Sequence, residues 1–170
     1  MLEDVPDWCS PAGDELRQGD VLFSFPLVVP QFDGSTVRLG LASKDLIILT
    51  QSCDLVKPGT EYLQVAALSR YSDLAAAEDQ YRATRYKKAL AEGTAIAEFL
   101  IPPSQPRMPN WMVARFRQVF TLPMEYVQKH ASDRLELVSP YREYLAQSYA
   151  RFMMRIGLPS GLQRFVGNIS

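Results

Sequence analysis

Four polar side chains follow one apolar run in this sequence: Leu46-Ile47-Ile48-Leu49-Thr50 leads into Gln51-Ser52-Cys53-Asp54, and Pro58-Gly59 breaks the chain soon after. A thiol beside a carboxylate at a strand end has three readings: nucleophile, metal ligand, or loop structure. A nucleophilic cysteine needs a cation or a helix N-terminus to hold its thiolate, and usually a base. Asp54 opposes a nearby thiolate, and the single histidine, His130, is distant in sequence. Zinc takes about four protein ligands in a structural site and about three in a catalytic one. Cys9, Cys53 and His130 are too few and too scattered for that, so neither a metal nor another cofactor is expected. Gln51, Ser52 and Asp54 carry more weight. Short polar side chains past a strand bond backbone N–H groups and fix a turn, and strand-end loops also present polar groups to ligands. Both roles can hold together, which makes these three the candidate ligand-binding residues.

A second set is basic. Arg115, Arg117, Arg142, Arg151 and Arg155 are interleaved with Trp111, Phe116, Tyr141 and Tyr149. Arginine forks suit phosphates and aromatic faces stack on bases, so Arg115, Arg117, Arg151 and Arg155 are the candidate nucleic-acid contacts. The opposing reading is a solvated arginine face over aromatics set at core-facing spacing.

These residues sit in a chain of 170, 47% hydrophobic, 22% charged and 11% aromatic. That composition describes one globular domain able to bury its own core. No window reaches the roughly 18 apolar residues of a bilayer span. The acidic N-terminus lacks a basic-then-apolar leader pattern, and two cysteines suit a reducing compartment, so a cytoplasmic location with no membrane partner is expected. Charge is uneven: residues 1–80 carry 5 Lys/Arg against 13 Asp/Glu, a balance of −8, and residues 81–170 carry 13 against 6, a balance of +7. Either the two halves interleave and neutralise each other, or they form an acidic and a basic face for self-association or a polyanion.

The elements that must position these groups follow from periodicity. Residues 1–17 read as an arm, with Ser10-Pro11 opening a short helical turn. Residues 18–70 read as a four-strand core. "DVLFSFPLVV" turns at Asp33-Gly34 into "STVRLGLA", whose Val37, Leu39 and Leu41 share one face. Lys44-Asp45 then turns into "LIILT", a central strand covered on both sides, and "EYLQVAALS" is the fourth. A helix is expected over residues 72–92, between Ser72 and Gly93. Residues 94–138 give further strands and a short helix around a Pro-rich loop. Residues 139–157 form a C-terminal helix capped by Ser139-Pro140, with Tyr141, Tyr144, Leu145, Ser148, Tyr149, Phe152 and Ile156 as its apolar stripe. The fold class is α+β: an antiparallel sheet or small barrel, a mid-chain helix and an amphipathic C-terminal helix able to bind a second copy or a protein partner.

Two stretches, "GDVLFSF…LIILTQSCDL" and "LELVSPYREYLAQSYARFMMRIGLP", resemble a group of small bacterial proteins with a strand-end Gln-Ser-Cys-Asp motif and a C-terminal Pro-Tyr-Arg-Glu helix. More distantly, Gly19-Asp20-Val21 opening a strand, a hairpin and an apolar strand resembles the SH3-like barrel of the MazF/PemK-type toxins, dimeric endoribonucleases encoded beside antitoxins. That resemblance implies an SH3-like barrel, with Arg38 and Thr50 or Ser52 stabilising the charge of a cleaving phosphate. The family's Arg-Pro before the central strand is Lys44-Asp45 here. The expected function is a non-catalytic binding module of a bacterial defence, toxin–antitoxin or mobile-element system, with a protein or nucleic-acid partner. The alternatives are the endoribonuclease just described and a thiol enzyme built on Cys53.

Overall fold

The computed structural model describes residues 7–104 and 106–154. Among them are seven strands: β1 (Cys9–Pro11), β2 (Asp20–Phe32), β3 (Val37–Ile48), β4 (Tyr62–Arg70), β5 (Glu98–Ile101), β6 (Met112–Pro123) and β7 (Arg134–Leu137). Five helices accompany them: α1 (Ser52–Leu55), α2 (Tyr71–Ala77), α3 (Thr84–Ala91), α4 (Met124–His130) and α5 (Tyr141–Met153). The strands make one open antiparallel sheet in the order β1-β7-β2-β3-β4-β6-β5. The fold is α+β. Among the described residues no helix is long and apolar enough to cross a membrane.

The central strand behaves as its composition demands. Leu46 and Ile48 enter one apolar cluster with Leu63, Val65, Met124 and Val127, under α4. Ile47 and Leu49 enter another on the opposite face, with Val21, Ala66, Phe116 and Leu145. All four are essentially inaccessible to solvent, the pattern of a strand covered on both faces. A third cluster, Leu74, Tyr81, Leu90, Ala95 and Val113, lies under α2 and α3.

The sheet is not the closed SH3-like barrel that the resemblance implied. Its edge strands β1 and β5 do not pair; the segments at them meet instead, the Cys9 N–H donating to Ser104 Oγ at 2.9 Å and Trp8 lying 6.1 Å from Phe99, ring to ring. α5 closes the remaining space, with Leu145 buried in the core and Tyr141 stacked on Trp8 at 3.9 Å and 9°. Much of the apolar stripe expected to dock a partner is therefore spent on this chain's own core. α5 starts at Tyr141 without a side-chain cap, so Ser139 is not its cap. Arg155 and residues 156–157 lie outside the described residues.

Three further expectations change. The arm at residues 1–17 contains β1, not a helical turn at Ser10-Pro11, because Cys9 is an apolar, buried residue paired with Leu137. Residues 18–70 hold three strands, not four. Lys44-Asp45 is not a turn; β3 runs straight through it, opposite a bulge in β2 where the register shifts between Leu22 and Phe25. Ser24 sits there at φ 47°, and its N–H donates to Asp45 Oδ1 at 2.8 Å. The carboxylate that looked like a turn signal is the bulge's partner. Finally, the helix over 72–92 is three pieces, α2, a 3-10 turn at Asp79–Arg82 and α3, separated by extended backbone at Glu78 and Ala83. In one straight helix Leu90 would lie about 160° around the axis from Leu74, at 100° per residue. Both are buried in the same cluster, so the breaks reset the phase.

Candidate functional site

The strand-end residues Thr50 to Asp54 are held by backbone groups of their own turn and of the segments on either side. Thr50 Oγ1 accepts the Gln64 N–H at 2.7 Å. Ser52 Oγ accepts the Gln18 N–H at 3.0 Å, and Gln18 in turn donates from Nε2 to the Leu49 carbonyl at 2.7 Å. Asp54 pairs with Lys57, and the Gln51 carbonyl accepts from the Asp54 and Leu55 N–H groups, closing the single turn α1. Cys53 is exposed and its thiol points to Gln51 Oε1 at 3.6 Å. These groups tie the chain behind β3 to the segment ahead of β2. Among the described residues no three of His, Cys, Asp and Glu gather as a metal-ligand set.

Arg38 is elsewhere. It sits near the free tip of the β2–β3 hairpin, ion-paired with Asp33 at 3.6 Å, while Thr50 lies twelve residues on, past the other end of β3. At about 3.3 Å per residue that is on the order of 40 Å. The structure does not bring Arg38 to Thr50 or Ser52.

Arg115 and Arg117 do come together, in a polar pocket of about 390 Å³ beside Tyr86, Glu78 and Glu98. Arg117 is exposed, in the part of β6 where pairing with β4 is interrupted. Arg115 is engaged inside the protein: Nη2 lies 3.1 Å from Glu78 and Nε 4.0 Å from Glu98. The Tyr81 hydroxyl donates to Glu98 Oε1, and the Tyr86 hydroxyl to Oε2 at 2.9 Å. Burial first, then the bond to the Glu98 carboxylate, pushes both phenols far above the usual tyrosine range. Arg115 thus balances a buried carboxylate.

Arg151 belongs to a different place. Its Nη2 donates to the Gly93 carbonyl at 3.0 Å, which ties α5 to the turn that ends α3. Gly93 takes φ 65°, the left-handed residue that stops α3. Between the two helices, along the edge strand β5, runs a cleft of about 780 Å³. Trp8, Phe99, Leu100, Trp111 and Tyr144 give it apolar walls, and Glu92, Gln147 and Arg151 supply polar groups. A shallower apolar depression continues over Leu90, Leu100 and Trp111 to Tyr71 and Lys87. Trp111 and Tyr144 are each about half exposed, at 48%.

The groove is a different site from the strand-end loop read in the sequence, and it joins residues 8, 90–93, 99–102, 111 and 144–154. Only local hints existed: Trp111 standing just ahead of a strand, and Tyr144 at the margin of the α5 stripe. Chemically the groove offers aromatic faces, a short edge strand and polar groups at its rim. Apolar walls with a few polar groups at the rim are the chemistry that can take up an apolar ligand. The chain matches no protein-family model, and no curated protein matches it.

Proposed function

We propose that this chain is a binding module that takes an extended apolar segment of a partner protein into the groove between α3 and α5. One observation carries the reading. A cleft of about 780 Å³ beside an edge strand gathers Trp8, Trp111 and Tyr144 on its walls, with Trp111 and Tyr144 each about half exposed, at 48%. Exposed Trp and Tyr are the residues that dominate binding energy at protein interfaces. Among the charged groups that line it, Lys87 and Arg151 outnumber Glu92, which favours a segment with acidic flanks.

Selecting peptides from a displayed random library on the immobilised full chain tests this. Enriched peptides should carry bulky apolar anchors with acidic neighbours, and should lose binding to Tyr144→Glu, an exposed position whose change leaves the core intact. Enriched peptides that bind wild type and Tyr144→Glu equally would overturn the proposal.

A further inference from the structure

β2 and β3 outrun the sheet that holds them. β7 pairs only with Asp20 to Leu22, and β4 only with Asp45 to Ile48, yet the β2–β3 ladder continues from Phe25↔Lys44 to Phe32↔Val37. Beyond Phe25 the two strands form a lone ribbon reaching about 23 Å at 3.3 Å per residue. A two-stranded ribbon is marginal in water unless something packs on it. One face is supported at its base: Leu27 is buried in the cluster under α4, Val29 packs against it, and the Tyr126 hydroxyl donates to the Pro26 carbonyl at 3.0 Å.

The other face is bare. Cross-strand pairs Val28↔Leu41, Pro30↔Leu39 and Phe32↔Val37 all lie on it. Val28, Phe32, Val37, Leu39 and Leu41 are 60, 72, 67, 76 and 85% exposed. The polar pair at the tip, Gln31↔Arg38, is on the supported face. A ribbon made for water would place these residues the other way round. Strict alternation of Val37, Leu39 and Leu41 is the pattern of a strand with one buried face, and this chain alone leaves that face uncovered.

We infer that the face is covered by the same face of a second copy, the two ribbons stacked about a two-fold axis. Three observations favour a copy. The face carries no charge, so setting it against itself meets no like-charge penalty. Its exposed residues present on the order of 600 Å², so two copies together bury at most about 1,200 Å², the lower end of specific interfaces. Pro26 and Pro30 cannot donate from the outer edge of β2, which opposes strand addition along that edge. This interface is separate from the α3–α5 groove and does not depend on it.

Sedimentation velocity of the full chain from about 1 to about 100 μM, a span of micromolar dissociation constants, tests the dimer. Wild type should shift from monomer to dimer with concentration. Leu39→Glu should remain monomeric throughout, with the far-ultraviolet circular dichroism and dilute-solution melting midpoint of wild type. A wild-type chain that is monomeric at every concentration overturns the inference, as does a dimer that survives Leu39→Glu. A monomer that instead floats with phosphatidylglycerol vesicles would assign the face to a bilayer and reject the second copy.

Discussion

Asp20 is fully buried and sits 3.0 Å from Arg134 Nε, with the Arg17 N–H also donating to Oδ2 at 3.0 Å. Its other oxygen, Oδ1, has no hydrogen-bond partner among the described residues. Burial outweighs the Arg17 N–H and the Arg134 charge, and the carboxyl is raised from 3.8 to about 6. Because the folded value lies above the unfolded one, the stability this group contributes is present below about pH 4. It is lost as pH rises through about 6. Urea denaturation of wild type and Asp20→Asn across pH 4 to 7 should show wild type losing about 2–3 kcal/mol relative to the variant; parallel curves would refute the shift. The cysteines divide as sharply. Cys53 is exposed, whereas burial pushes the Cys9 thiol up to about 11. A disulfide reagent at neutral pH should label one thiol at once and the other only on unfolding. Cys53→Ser should change stability by no more than about 0.5 kcal/mol. Rapid labelling of both thiols in the folded chain would contradict this division.

At the scale of elements, the segment between β4 and β5 shows how tertiary bonds override a helical pattern. Tyr81 is fully buried and bonded to Glu98, and its backbone carbonyl accepts from the Tyr71 hydroxyl. Only the breaks at Glu78 and Ala83 turn Leu74, Tyr81 and Leu90 toward one cluster. Tyr81→Phe removes one of the two phenols that satisfy buried Glu98 and should cost about 1–3 kcal/mol by chemical denaturation. Amide exchange should quicken first in α3, and unchanged stability would show that Tyr86 and Arg115 suffice. The sequence was legible where the environment acts locally. "LIILT" announces a two-sided strand because four consecutive apolar residues have nowhere else to go, and Asp33-Gly34 does make the hairpin turn, with Gly34 at φ 91°. It was not legible where the decisive partner is remote. Asp45 is explained by Ser24, Ser52 by Gln18, and Glu98 by Tyr81 and Arg115. Each pairing needs the finished fold.

Across the whole molecule the two halves of the chain interleave in part. β7 lies between β1 and β2, so Arg17 meets Glu136 and Asp20 meets Arg134, and on the other side of the sheet Glu78 meets Arg115. The sheet curls until its edges nearly meet, and α5 fills the gap. What lies open beside that plug is the groove, assembled from five separate parts of the chain and so invisible to periodicity. The hairpin face is the reverse case. Its alternation was plain in the sequence, and the single chain does not bury it.

Both tryptophans of the chain, Trp8 and Trp111, line the groove, so intrinsic fluorescence reports its occupancy directly. Titrating the full chain with a selected apolar peptide should give a saturable emission change. Trp111→Ala, read by calorimetry, should bind about thirty-fold more weakly, the loss of an interface anchor worth about 2 kcal/mol. A peptide that binds without altering tryptophan emission, or with the same affinity for Trp111→Ala, would contradict the groove as the binding site.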